Sequence, residues 1–329
     1  MKINELAEIA GVSPSTVSKV INGREGISAK TRKHVEKILK DNGYFKPLAS
    51  TKVSRSIELV LDHIESDCTL SFIRSVSYWV QQADYSLSIT QLNAGLDMDR
   101  CFRGIIDRNP TGVIIHQISK IPETQKKLLD SRNIPYVVVN PIKPVDDDAM
   151  WISIDRWTGS FQVVQYLIEQ GHKRIGLING PEDSQSAIAL DGGFLAAAHH
   201  TDVEFTSSLE QYTDLTPGDA YRAACTLLDL SDRPTAIFVS NERMAMSVYR
   251  AAYERGLSIP SDLSVIGFED DYPADVMGPP LTTIYQSFHT EARKAVEMII
   301  DARRDRDVDK HVILPMFLVK RDSVRKLTD

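Results

Sequence analysis

Little in this chain speaks for export, membrane insertion or covalent cross-linking. Only three cysteines occur in 329 residues: Cys68, Cys101 and Cys225. Their odd number and wide spacing exclude a disulfide framework and offer no metal-ligand pattern, so they read as buried thiols of a reducing cytoplasm. No apolar run approaches the roughly 20 residues that a membrane helix needs, so no membrane partner is expected. The first residues, Met1-Lys2-Ile3-Asn4-Glu5, carry an early acid and lack the apolar stretch of a secretory signal. Catalytic signatures are missing as well. No G-x-G-x-x-G follows the first strand-like run, and there is no P-loop, G-x-S-x-G or H-E-x-x-H. The only adjacent histidines, His199-His200, fall near a helix end and read as surface, and Asp146-Asp147-Asp148 sits in a proline-bearing loop and reads as solvated. No enzyme activity, cofactor or metal is expected, although a catalyst built on a doubly wound sheet is the rival class.

What is present is uneven. The chain is too long for one compact core, which predicts two or three domains. Its net charge of −7 argues against a nucleic-acid partner until the charges are placed. Residues 1–56 hold 11 Lys/Arg and 5 Asp/Glu, a net of +6, while the remainder holds 27 basic against 40 acidic residues, a net of −13. A small basic head on a large acidic body points to one polyanion-binding module.

The head reads as three short helices. Ile3 to Ala10 place Leu6, Ile9 and Ala10 on one face, and Gly11 ends the helix. Ser13 is a good N-cap and Pro14 suits the first helical position, with Val17, Val20 and Ile21 facing inward until Asn22-Gly23. A third helix starts from Ser28 and runs to about Asn42, with Val35, Ile38 and Leu39 inward. The link of three or four residues between the first two helices has the length of a helix-turn-helix turn. The outward residues of the second helix, Ser15, Thr16, Ser18 and Lys19, are short polar groups and a cation, suited to base edges and phosphates. The amino ends of the second and third helices add free N–H groups for phosphate.

The run from Ala7 to Asn22, with Ile27-Ser28-Ala29-Lys30-Thr31-Arg32 and Gly43-Tyr44, resembles the head of lactose-repressor-type (LacI family) regulators. The resemblance implies that Pro14, Ser15 and Lys19 face bases, and that Ser13, Thr16, Ser18, Asn22, Ser28 and Thr31 position the phosphate backbone. Tyr44 belongs to the same interface. After Tyr44 the chain departs from the family. The stretch Phe45-Lys46-Pro47-Leu48-Ala49-Ser50-Thr51-Lys52-Val53 displaces the expected proline by one and lacks the asparagine. Val53 falls where a leucine wedge enters the minor groove, and a smaller β-branched wedge unstacks bases less readily. The expected division is a DNA-binding domain at 1–46, a hinge at 47–56 and a ligand-binding and dimerising body at 57–329.

From Ser56 strands alternate with helices, the mark of a doubly wound parallel sheet. Strands are predicted at 57–61, 86–92, 112–116 and 136–140; the pattern restarts at Trp151–Asp155 and continues at 174–178, 236–240 and 263–268. Two α/β halves, with crossovers near 153 and 287, imply a cleft between lobes. Gly171-His172-Lys173-Arg174-Ile175-Gly176, Ser240-Asn241-Glu242-Arg243-Met244-Ala245 and Pro280-Leu281-Thr282-Thr283-Ile284 resemble the family's regulatory body, which is related to periplasmic sugar-binding proteins. The fold class is therefore a small all-α helix-turn-helix head plus a two-lobed, periplasmic-binding-protein-like α/β body.

Ligands of open α/β sheets sit at the carboxyl ends of strands, which selects Asp62, Asn140, Asp155, Asn241, Glu269 and Gln286. The resemblance selects four of these again (Asn140, Asn241, Glu269, Gln286) and adds Phe72. Asp155 reads equally well as a helix cap. The family's effector arginine, three residues before a Gly-aromatic pair, is missing: Leu190 stands there, Ala189 if the register slips by one, and Asp191 beside it offers an acceptor. Without that five-donor fork the expected effector is neutral, a sugar, in a rearranged pocket; a nucleobase corepressor or a protein partner is the alternative on the same scaffold. The end of the chain, Val319 to Asp329, is too short and charged for the family's tetramerising coiled coil. The expectation is a homodimer on a pseudo-palindromic operator.

Overall fold

The computed structural model describes residues 3–21, 26–42, 54–62, 64, 66–92, 98–117, 121–199, 201–203 and 206–327. Asn22, Tyr44 and Val53, and with them most of the expected hinge, lie outside these residues.

The head is three helices, α1 (Ile3–Ala10), α2 (Pro14–Ile21) and α3 (Ala29–Asp41). Gly11 adopts a φ of +61°, and the Val12 N–H reaches back to the Ala7 carbonyl at 3.0 Å, closing α1 with a left-handed residue that glycine tolerates best. Leu6, Ala7, Ala10, Val17, Val20, Val35 and Leu39 form the core of this small bundle. One expectation fails: Ile9 is 54% exposed, and Ala7 takes the inward place instead. The face of α1 is rotated by part of a turn because α2 and α3 both press on the Leu6–Ala10 side.

The body begins with β1 (Ser56–Leu61), α4 (Asp67–Gln82), β2 (Ser86–Gln91), α5 (Met98–Arg108), β3 (Gly112–His116), α6 (Glu123–Asp130), β4 (Tyr136–Val139) and β5 (Met150–Ile154). Then follow α7 (Arg156–Glu169), β6 (Ile175–Asn179), α8 (Gln185–Ala198), β7 (Glu210–Tyr212), α9 (Pro217–Leu228), β8 (Ala236–Val239), α10 (Glu242–Glu254) and β9 (Ser264–Ile266). The chain closes with β10 (Thr283–Tyr285), α11 (Phe288–Arg303), β11 (His311–Leu314) and β12 (Phe317–Val319).

The first lobe is a parallel sheet in the order β11-β5-β4-β3-β1-β2. Its central strands are buried end to end because helices cover both faces. Alternate residues feed two cores: Ile57, Leu59 and Leu61 face α4 and α11, whereas Val60 joins Val113, Ile115 and Val138 under α5 and α6. The second lobe is a parallel sheet in the order β7-β6-β8-β9, extended past β9 by bridges to β10, which pairs antiparallel with β12.

The strand at Trp151 does not open the second lobe as its position after a loop suggests. It pairs with β4, Val137↔Met150 onward, and completes the first sheet. The lobe boundary therefore falls after Ile154. The chain crosses between lobes there, again between β10 and α11, and a third time between β11 and β12.

Candidate functional site

The exposed face of α2 carries Pro14, Ser15 and Lys19, while Val17 and Val20 are buried behind it. Ser15 and Lys19 are four residues apart and so share one helical face. Ser13 caps α2: its hydroxyl accepts from the Thr16 N–H at 3.2 Å and bonds the hydroxyls of Ser15 (2.8 Å) and Thr16 (2.9 Å). Ser28 does the same for α3, accepting from the Thr31 N–H at 3.1 Å and bonding the Thr31 hydroxyl at 2.8 Å. Each cap takes one N–H of the first turn of its helix. Ser18 is half-buried on α2. The His34 ring meets the Ala10 carbonyl at 3.2 Å and ties α3 to α1.

The second candidate site lies between the lobes, at the carboxyl ends of β3, β4, β8 and β9. Gln117, Asn140 and Glu269, each at or just past such an end, have φ of 50°, 50° and 111°. Glutamate rarely accepts that backbone, and strain of this kind is held at functional positions. Asn140 is buried and donates to Glu291 on α11 at 2.7 Å; Gln286, also buried, donates to the other oxygen of Glu291 at 2.8 Å. Glu269 accepts from the Cys68 thiol of α4 across the cleft, and Ser71 donates to Asp271 at 2.8 Å along the same seam. Nearby, Glu242 is buried and accepts from the Thr283 hydroxyl at 2.7 Å and the Asp270 N–H at 2.9 Å.

Burial dominates the titration of this cluster. It raises the Glu269 carboxyl to about 7, against the pull of the Cys68 hydrogen bond and the Arg156 charge. Glu291 is likewise raised to about 7 by burial, which outweighs its bonds from Gln286 and Asn140. Glu242 is raised by burial and by Glu269. The His116 imidazole is depressed to about 3 by burial and by Arg156, so it is neutral at ordinary pH. Phe72 has no exposed surface; its ring stacks on His116 at 4.2 Å and holds that imidazole in place from behind.

Five buried polar atoms at this seam have no hydrogen-bond partner among the described residues: His116 Nε2, Asn140 Oδ1, Ser240 Oγ, Asp271 Oδ2 and Gln286 Oε1. Native interiors leave few such atoms, and each costs about 1–3 kcal/mol if it stays unmade. Two cavities open here. One, of about 150 Å³, lies between the Ser66–Cys68 turn and Asn241, Glu242, Glu269 and Asp271. The other, of about 450 Å³, lies on the crossover side, between Pro141, Val145, Trp151, Asp155, Arg156 and Trp157.

The expected residues divide accordingly. Asn140, Asn241, Glu269 and Gln286 come together at the seam. Asn241 also caps α10, accepting from the Met244 N–H at 2.9 Å. Asp155 caps α7 through the Thr158 N–H at 3.0 Å and also lines the larger cavity. Asp62 follows β1, half-buried, and lines neither cavity. Leu190 does not face the cleft. It is 2% exposed in the core between α7, α8 and the second sheet, while its neighbour Ala189 is the one that reaches the larger cavity. Asp191 is held by Asn179 (2.7 Å) and the Tyr212 hydroxyl (3.0 Å), inside the second lobe. Sequence reasoning missed His116, Glu242, Glu291 and Arg156. Among the described residues no group of three or more His, Cys, Asp or Glu is arranged to hold a metal ion.

A helix-turn-helix head on a two-lobed body with a polar interlobe cleft defines a DNA-binding regulator with a ligand-binding domain. Residues 2–46 match the family described as bacterial regulatory proteins, lacI family, and residues 164–324 match the periplasmic binding protein-like domain. Similar relatives include the HTH-type transcriptional repressors PurR of Photorhabdus laumondii (31% identity) and Pectobacterium atrosepticum (30%), each spanning 98% of this chain and 96% of its own. Among solved structures, a transcriptional regulator CelR-cellobiose complex superposes with a TM-score of 0.75 at 24% identity, covering 98% of this chain and 99% of its own. The lac repressor dimer bound to operator and the anti-inducer ONPF gives 0.72 at 24% identity, covering 99% of each. The chain belongs to the lacI family of bacterial regulatory proteins and is a DNA-binding transcriptional regulator.

Proposed function

We propose that the protein is a cytoplasmic homodimeric repressor that binds a pseudo-palindromic operator through α2, and that a small neutral sugar seated between its lobes sets its operator affinity. The observation that carries the ligand reading is the set of five unpartnered polar atoms at the seam. Asn140 Oδ1, Gln286 Oε1 and Asp271 Oδ2 are acceptors, so they call for a ligand rich in donors, as sugar hydroxyls are. The buried carboxyls of Glu242 and Glu291 and the half-buried one of Glu269 disfavour an anion. A ligand that binds one lobe arrangement more tightly than the other shifts the pair of heads with it, and the three crossovers are the hinge.

The name PurR, carried by the relatives, favours a second reading in which the effector is a nucleobase. Titration calorimetry of the full chain against glucose, galactose, ribose and hypoxanthine separates the two. Heat with a monosaccharide and none with hypoxanthine supports the sugar; the reverse supports the nucleobase and overturns it.

A further inference from the structure

The family's effector arginine is absent from α8, yet the cleft is not without a guanidinium. Arg156, the first residue of α7, stands where the chain passes from the first lobe to the second. It lines the 450 Å³ cavity together with Trp151, Trp157 and Val145. On its other side its charge is felt by Glu269 of the second lobe, Glu291 of the first and His116. Burial disfavours its charge and those two carboxyls favour it. Among the described residues, however, no acceptor takes a hydrogen bond from it. A guanidinium has five donors in a planar fork, and a half-buried one without a hydrogen-bonded acceptor is a group prepared for something else. Its place in the helix points the same way. A cation in the first turn opposes the helix dipole by about 0.3–1 kcal/mol, and α7 has no acid in that turn to offset it. Three of the unpartnered atoms, on His116, Asn140 and Gln286, belong to the same cluster as the two carboxyls that Arg156 faces.

Resting on the sugar reading above, we infer that Arg156 is the residue that fixes effector specificity: its fork takes two adjacent ring oxygens of a neutral sugar whose apolar face lies against Trp151 and Trp157. The guanidinium that the α8 position lacks is thus supplied from α7, one crossover away. Asp147, Asp155 and Gln185, which line the same cavity, accept the hydroxyl protons. The larger cavity lies in the range of small-ligand sites, roughly 300–1,000 Å³, and its two tryptophans are the wall that such sites use for a ring.

The test compares the wild-type full chain with Arg156→Lys and Arg156→Ala by calorimetry against glucose, galactose, ribose, hypoxanthine and glucuronate, with a thermal melt of each variant to establish folding. The expected result is a monosaccharide that binds the wild type, loses at least tenfold in affinity in Arg156→Ala and is not restored in Arg156→Lys, which keeps the charge and the stem but not the fork. A monosaccharide that binds both variants within twofold of wild type overturns the role of Arg156 and leaves the cleft reading standing. Binding of hypoxanthine or glucuronate alone, lost in Arg156→Ala, overturns the sugar class and supports Arg156. No binding of any probe to the wild type overturns both.

Discussion

At the scale of single residues, the head was legible and the cleft only partly so. Ser13, Pro14 and Ser28 occupy their places because capping chemistry is local: a hydroxyl, a fixed φ and three residues of spacing are enough to define a helix start. Lys19 follows from the same helix and projects outward. Lys19→Ala is expected to weaken operator binding by about 1–3 kcal/mol and to relax discrimination at one or two base positions, measured by anisotropy on operator variants. Equal weakening on every sequence would instead mark a phosphate contact. In the cleft, Asn140, Asn241, Glu269 and Gln286 could be read from strand ends. Arg156 and Glu291 could not, because each lies on a helix whose position depends on how the lobes join. One signal for Arg156 was present all the same: a cation directly after the helix cap Asp155, where the helix dipole asks for an acid. Leu190 was misplaced for a similar reason. Ala187, Ile188, Ala189 and Leu190 are all apolar, so sequence alone does not tell which of them turns inward.

At the scale of elements, eight parallel strands were found with errors of a residue or two, whereas the edge strands β7 and β11, short or half-exposed, were not predicted. The strand at Trp151 shows what the pattern omits. Alternation of strand and helix is identical in both lobes, and only the pairing of Val137 with Met150 assigns β5 to the first sheet. The α7–α8 pair was visible only in part, since its defining residues are glycines. A Cβ on Gly193 would stand 2.2 Å from the Trp157 carbonyl oxygen and 2.8 Å from the Ser160 Cβ, and the Ser160 hydroxyl bonds the Leu190 carbonyl at 2.6 Å across the same contact. Gly193→Ala must push the two helices apart, against backbone atoms that cannot rotate away. We expect a loss of about 1–3 kcal/mol or more in urea unfolding, where an alanine in an ordinary helix would gain stability. A variant as stable as wild type would show that the close approach is not required.

At the scale of the whole molecule, the buried titratable groups of the two lobes oppose one another. Glu269 and Glu291, raised to about 7, keep protons in the folded state that the unfolded chain releases near pH 4.5. The stability they contribute is full below that pH and is lost as pH rises through 7. His116, lowered to about 3, and His172, lowered to about 4 by its burial, stay neutral where the unfolded chain takes up protons near pH 6.5. Their contribution is full above pH 6.5 and is lost as pH falls. Between pH 4.5 and 6.5 the two pairs cancel in sign, and above pH 6.5 only the carboxyls act. The double variant Glu269→Gln/Glu291→Gln is therefore expected to show a melting temperature that climbs more steeply than the wild type's from pH 4.5 to 6.5 and falls less above it, the raised Glu242 carboxyl being common to both. The wild type is expected to be flatter below pH 6.5 and to fall between pH 6.5 and 8. Coincident profiles would contradict the assignment.

The claim that joins head and body is that a ligand between the lobes controls the grip of α2 on DNA. Its most direct test is a titration of the full chain onto the DNA upstream of its own gene, by fluorescence anisotropy, with and without each member of the monosaccharide panel. The account predicts specific binding to a two-fold-symmetric site and a change of at least tenfold in its Kd with one neutral monosaccharide. A Kd that no member of the panel alters would contradict it.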